Sequence, residues 1–201
     1  VWTFGHGLNS TARFSGRHEM ILWFTKGTQT IFNLDEVRIP QKYPGKRSYK
    51  GPNKGQLSGN PIGKNPSDVW DIPNVKANHI EKTIHPCQFP VTIPQRLIKA
   101  LTNKNGLVLD PFMGSGTTGV AALVEGRRFV GSEIQKSYFD ISVGRIKDAA
   151  EGKAKVREDK PVAEPNPNAT VAKLPDEFRK IREIDDEKKV HRKEASYSET
   201  N

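Results

Sequence analysis

The chain has 201 residues and carries 32 Lys plus Arg against 23 Asp plus Glu, a formal net charge of +9. That length supports one domain with a real core and an appendage rather than two full domains. The single cysteine, Cys87, excludes a disulfide framework and a cysteine metal cluster, and no apolar run is long enough for a membrane-spanning helix.

In chain order, residues 1–4 (VWTF) and 18–24 (HEMILWF) have the β-branched and aromatic content of buried strands. The Gly- and Ser-containing stretch between them would join the two as a long-looped hairpin. The opening VWTF has no methionine and no polar lead-in, and reads as cut from something longer. From about residue 29 to 78 the text turns to Lys, Gly, Pro, Ser and Asn without a sustained period, the pattern of a long irregular segment. Within it Lys42, Lys46, Arg47, Lys50, Lys54 and Lys64 alternate with Tyr43, Tyr49 and Trp70. Such interleaving suits nucleic acid, with cations on phosphates and rings on bases or anchoring the loop. The six cations are the candidate DNA-binding residues.

Residues 92–101 (TIPQRLIKAL) place Ile93, Leu97, Ala100 and Leu101 on one helical face, with Pro94 in the first turn. Residues 107–109 read as a short buried strand, 116–125 as a helix, 128–131 as a second strand and 138–150 as an amphipathic helix. Strand, helix, strand, helix implies a parallel sheet and an α/β class. Beyond Glu151 too few apolar residues remain to offset ordering entropy. The expectation is a charged, disordered tail over 151–201, with a solvated helix around 175–192.

Gly114, Gly116 and Gly119 satisfy G-x-G-x-x-G between the first strand and its helix, and Glu133 follows the second strand where a ribose-binding acid is expected. Asp110 separates the candidate ligands. A carboxylate at that strand end would repel a pyrophosphate, by several kcal/mol where water is excluded. S-adenosyl-L-methionine offers an ammonium and a sulfonium instead, and no phosphate. A phosphate-hydrolysing loop would need a lysine that Gly114-Ser115-Gly116-Thr117-Thr118 lacks. A nicotinamide or flavin oxidoreductase would share the glycines and Glu133, but Asp110 opposes it. A non-catalytic DNA-binding module is the other alternative.

Asp110-Pro111-Phe112-Met113-Gly114-Ser115-Gly116-Thr117-Thr118, preceded about twenty residues earlier by His85-Pro86-Cys87-Gln88-Phe89-Pro90, resembles the cofactor motifs of DNA amino-methyltransferases of the permuted β class. The resemblance covers most of residues 1–150. It implies a Rossmann-like, S-adenosylmethionine-dependent methyltransferase sheet, here incomplete, divided into a strand pair (1–30), an inserted target recognition region (31–78) and a cofactor-binding part (79–150). By this likeness Asp110, Phe112, Gly114, Ser115, Gly116 and Thr117 border the methionine moiety, and Glu133 accepts from the ribose hydroxyls. His85, Pro86 and Gln88 mark the segment closing over the cofactor from the other side. Cys87 and Phe89 stand where the family often has Thr and Lys.

The resemblance further implies methyl transfer to the exocyclic amine of a base flipped out of double-stranded DNA, adenine rather than cytosine, by direct in-line displacement. The single cysteine makes a reducing cytoplasm the expected setting and no metal site is assigned, while the resemblance implies a cognate restriction endonuclease as candidate partner. These enzymes also carry an Asp-Pro-Pro-Tyr-like tetrapeptide that holds the target amine. None occurs between Val1 and Asn201, so no catalytic residue is assigned, and the chain alone is expected to be inactive.

Overall fold

The computed structural model of the chain describes residues 1–5, 7, 9–158, 173–181 and 184. They divide into two compact units, one of Val1–Val37 with Ser67–Asp159, the other of Arg38–Pro66 with the described residues beyond 160.

The first unit contains β1 (Trp2–Thr3), β2 (His18–Glu19), α1 (Leu34–Val37), β3 (Trp70–Asp71), α2 (Thr92–Leu101), β4 (Leu107–Asp110), α3 (Thr117–Val124), β5 (Arg128–Gly131) and α4 (Lys136–Ala150). Two small sheets result. In one, with order β2-β1-β3, β1 pairs antiparallel with β2 and parallel with β3. In the other, β4 and β5 run parallel from Leu107 opposite Arg128 to Asp110 opposite Gly131. The expected β4–α3–β5 unit is therefore present, with α4 following it.

Two apolar clusters hold this unit. Val91, Ile98, Val120, Ala121, Ala122 and Ala149 form one, against which Val108, Phe129 and Ile146 pack. Trp2, Ile72 and Ile93 form the other, joined by Phe4, Ile21, Phe89 and Leu97. Helix α2 serves both, which is why Ile98 is buried although it lies off the face predicted from Ile93 and Leu97. The Trp2 indole N–H donates to the Ile72 carbonyl at 2.7 Å, so the largest side chain of its cluster buries no unpaired donor. An apolar groove of about 410 Å³, lined by Ile21, Phe89, Leu97, Leu101 and Val108 among others, opens between these elements.

Several expectations are corrected. The second hairpin strand shrinks from 18–24 to His18–Glu19, with Met20, Leu22, Trp23 and Phe24 exposed. Strand β2 is the edge of its sheet, and among the described residues nothing pairs beyond it. Only Ile21 turns inward, onto the Trp2 cluster. Strand β4, read as buried, is buried on one side only. Val108 faces the core, while Leu109 is 66% exposed and Leu107 is exposed beside it, because among the described residues no layer covers the second face. The 29–78 stretch is not wholly irregular, since it yields α1, β3 and two isolated antiparallel bridges, Ile39 with Lys64 and Arg47 with Leu57.

The tail does not leave the core at Glu151. Ala154 and Val156 pack on the Val91 cluster, and the Arg157 N–H donates to Glu81 at 2.9 Å. The solvated helix is helical over 176–181, where Phe178 is buried rather than solvated. Most of the rest of the predicted span, and of the tail, lies outside the described residues.

Sequence periodicity gave no sign of Arg127, which is buried at the end of α3. Its guanidinium donates to the carbonyls of Thr102 and Glu125 and to the Thr102 hydroxyl, closing the C-terminal ends of both α2 and α3. Asn33 completes the α2 end through Lys99 and Thr102 carbonyls. We expect Arg127→Met to lower unfolding free energy by about 2–4 kcal/mol, since charge-assisted bonds are lost and carbonyls are orphaned. Urea denaturation would show it as a shifted midpoint.

Candidate functional site

Because β4 and β5 are parallel and end in register, the segments that follow them emerge at one edge. Backbone bonds continue past the strands, with Ser132 N–H donating to Asp110 carbonyl at 3.1 Å and Met113 N–H to Ser132 carbonyl at 3.0 Å. The Ser132 hydroxyl donates to Pro111 carbonyl at 2.6 Å. Glu133 then ties the two loops. One carboxylate oxygen accepts from Gly114 N–H at 3.0 Å and the other from Gln135 N–H at 2.8 Å. Asp110 accepts from Phe112 N–H at 3.1 Å, and no ion pair engages it among the described residues. Beside these carboxylates Phe112 is 88% exposed and Ile134 fully so.

The glycines are required by close approach. Gly116 has φ 75° at the N-cap of α3, and a Cβ there would stand 2.8 Å from the Ser142 Cβ on α4. A Cβ on Gly119 would meet Ile146 and Phe129, both at 2.7 Å. At Gly114, φ 51°, the neighbour is His85, whose Nε2 lies 2.8 Å from the position of a Cβ. The two sequence motifs thus meet physically, with the His85 ring on the glycine loop and edge-on to Tyr138 at 4.5 Å between centroids.

Other candidates point elsewhere. Pro86 is exposed. Gln88 is buried and committed to its own loop, accepting from Thr83 N–H and hydroxyl and donating to the Glu81 carbonyl. Ser115 and Thr117 are buried, their hydroxyls 3.3 Å apart. Arg145 on α4 donates through one guanidinium nitrogen to the Ser115 carbonyl at 2.6 Å and to both hydroxyls at 3.1 Å. The side chains of Ser115 and Thr117 therefore brace the loop from behind.

Arg145 and Glu81 were missed by sequence reasoning. Burial pushes the Arg145 pKa down, opposed by the Glu81 carboxylate. Glu81, itself buried, accepts from Val91 N–H at 2.9 Å at the start of α2 and from Arg157 N–H. The available signal was a cation at position 145 on the α4 face marked by Ser142, Ile146 and Ala149. The six basic candidates belong to the other compact unit and are all exposed. Arg47 donates to Gly55 carbonyl at 2.8 Å, and the Lys42 ammonium lies 5.5 Å from the Tyr43 ring centre.

The fold and this edge define an α/β protein with a candidate ligand site at the carboxyl ends of two parallel strands. A family model described as DNA methylase matches residues 1–144, and the chain belongs to that N6/N4 DNA methylase family. It is 52% identical over 142 residues to the type II methyltransferase M.BglII of Bacillus subtilis, covering 71% of this chain and 39% of that protein. Against the type II methyltransferase M.ScaI of Streptomyces caespitosus the identity is 44% over 157 residues, 75% of this chain and 50% of the relative. Against the DNA adenine methyltransferase YhdJ of Escherichia coli K12 it is 33% over 166 residues, 80% of this chain and 56% of the relative. The chain spans about half the length of these relatives.

Gly116→Ala forces a side chain into left-handed backbone and against α4, and should cost about 2–4 kcal/mol while weakening ligand binding at the loop. Paired denaturation and binding titrations check both parts. A second expectation concerns pH. Burial lowers the His79 pKa from its usual 6.5, with Glu81 opposing and Arg157 reinforcing, and Nδ1 accepts from Glu81 N–H at 3.2 Å. The folded state thus favours the neutral ring, so this stability is present above about pH 6.5 and is lost as pH falls through the lowered value. Melting temperature should drop between pH 7.5 and 5.5, and His79→Gln should flatten the drop.

Proposed function

We propose that this chain is the cofactor-binding and target-recognising part of a DNA amino-methyltransferase. It takes S-adenosyl-L-methionine at the β4–β5 edge and serves methylation of the exocyclic amine of adenine in double-stranded DNA. The observation that carries this reading is the pair of carboxylates, Asp110 and Glu133, at the ends of adjacent parallel strands, with a lysine-free glycine loop between them. The unneutralised Asp110 suits the cofactor's ammonium and opposes a pyrophosphate. Each Glu133 oxygen accepts one backbone N–H and keeps a lone pair for a ribose hydroxyl. Phe112 and Ile134 offer exposed apolar surface that a bound cofactor would cover beside these charges, and His85 bounds the loop at Gly114. Bound there, the cofactor supplies a methyl group made electrophilic by its sulfonium.

For DNA, the exposed Lys42, Lys46, Arg47, Lys50, Lys54 and Lys64 would neutralise phosphates. Adenine is favoured over cytosine by the likeness of residues 13–90 to adenine enzymes, and a relative named an adenine methyltransferase is in keeping with that. Other relatives are named type II methyltransferases, in keeping with a cognate restriction endonuclease, and the single cysteine suits a reducing cytoplasm. No residue of this chain is assigned to polarising the target amine.

Thermal unfolding with adenosylhomocysteine or NAD tests the cofactor reading. At a hundredfold excess over Kd a ligand adds about 2.7 kcal/mol, or roughly 5–10 °C for a domain this size. Adenosylhomocysteine should give that rise and NAD none, and Asp110→Asn should lose most of it. Stabilisation by NAD alone would overturn the proposal in favour of an oxidoreductase.

A further inference from the structure

The segment expected to be irregular contains a built element. Residues 46–58 fold back as a two-stranded antiparallel ribbon about the Arg47–Leu57 bridge. Ser48 N–H donates to Gln56 carbonyl, Gly55 N–H to Ser48 carbonyl and Ser58 N–H to Lys46 carbonyl, each at 2.9 Å. The connecting turn is pinned internally, Lys54 N–H to Gly51 carbonyl at 3.1 Å and Gln56 N–H to Asn53 carbonyl at 3.0 Å. The Arg47 guanidinium adds a brace to Gly55 carbonyl. Gly51 and Gly55, with φ of 80° and 83°, make the reversal possible.

Among the described residues nothing packs against the tip. A Cβ built on Gly51 or Gly55 would meet nothing within 4 Å, every residue from 49 to 56 is exposed, and the Tyr49 ring is 90% exposed. Residues 37–67 hold Arg38, Lys42, Lys46, Arg47, Lys50, Lys54 and Lys64 with no Asp or Glu among them. A ribbon this narrow, with strands about 4.8 Å apart, matches the major groove of B-DNA, about 12 Å wide, which admits a two-stranded ribbon.

We propose that the 46–58 ribbon is the base-reading element, entering the major groove tip first, with Asn53 and Tyr49 at base edges and Lys50 and Lys54 on the flanking phosphates. This rests on the DNA-methyltransferase reading above and adds which residues choose the sequence. The Asn53 carbonyl of the backbone is used by the turn, whereas its side-chain amide is left with a donor and an acceptor, the pair that matches the N6 and N7 edge of adenine. Tyr49 offers an exposed ring for apolar contact in the groove. Arg47, tied to the turn, stiffens the ribbon and is a weaker anchor than the two tip lysines. Preorganisation matters here, because a flexible loop would lose affinity in becoming ordered.

The test uses the full chain and two probes, a fixed 30-bp duplex and a pool of duplexes with a randomised centre, the bound fraction being sequenced. The wild-type chain should bind both and enrich a motif. Lys50→Ala and Lys54→Ala should weaken binding to all duplexes alike and each reduce the slope of log affinity against log salt by about one. Asn53→Ala should leave affinity for the fixed, non-cognate duplex within about twofold, while relaxing preference at one motif position by about tenfold or more. An unchanged motif in both Asn53→Ala and Tyr49→Ala, with DNA binding intact, overturns the ribbon assignment and leaves the methyltransferase reading standing. A wild-type chain that binds no duplex even at low salt overturns the DNA reading and the ribbon with it.

Discussion

The register between β4 and β5 is the constraint from which the site follows. Because Leu107 lies opposite Arg128 and Asp110 opposite Gly131 in a parallel pair, both strands release their chains at the same edge, and beyond the bonds of Ser132 and Met113 the loop N–H groups have no ladder partner. Glu133 meets that need, accepting from Gly114 on one loop and Gln135 on the other. The same carboxylate that satisfies the loops is the one proposed above to meet the ribose. Asp110 is held in the same way, through Phe112 N–H. Neither acid is a free appendage; each is fixed by backbone before any ligand arrives.

Rigidity of the loop comes from behind. Burying a guanidinium is costly unless its donors are used; Arg145 uses one nitrogen on the Ser115 carbonyl and on both buried hydroxyls, while its other terminal nitrogen is buried without a partner among the described residues. Arg127 does the corresponding work at the ends of α2 and α3, and Glu81 at the start of α2. These charged residues lie inside the fold and link elements far apart in sequence. The apolar clusters set which helices touch, and the buried charges set how the loops between them are held.

The recognition-like segment follows a different physical logic. With no acid between residues 37 and 67, its cations repel one another and draw it toward a polyanion. Little apolar surface is available there to hold a shape. The 46–58 ribbon is shaped instead by backbone hydrogen bonds across the Arg47–Leu57 bridge and by glycines in the left-handed region.

Sequence alone determined the α/β alternation from residue 92 to 150, the glycine loop, Asp110 and Glu133, because periodicity, turn residues and a strand–loop–helix spacing are local properties that neighbours do not need to supply. It also determined the family, since two motifs in fixed order are readable without coordinates. Only the tertiary structure decided that His85 meets Gly114, that Ser115 and Thr117 turn to Arg145, and that Gln88 serves its own loop. Each of these depends on which face of a side chain is met by an element tens of residues away. The same holds for the strands read too generously. Met20, Leu22, Trp23, Phe24 and Leu109 are apolar enough to be buried, but burial requires a covering layer, and among the described residues none buries them. Hydrophobicity states what a residue would gain from a partner; the packing of the chain determines whether the partner is there.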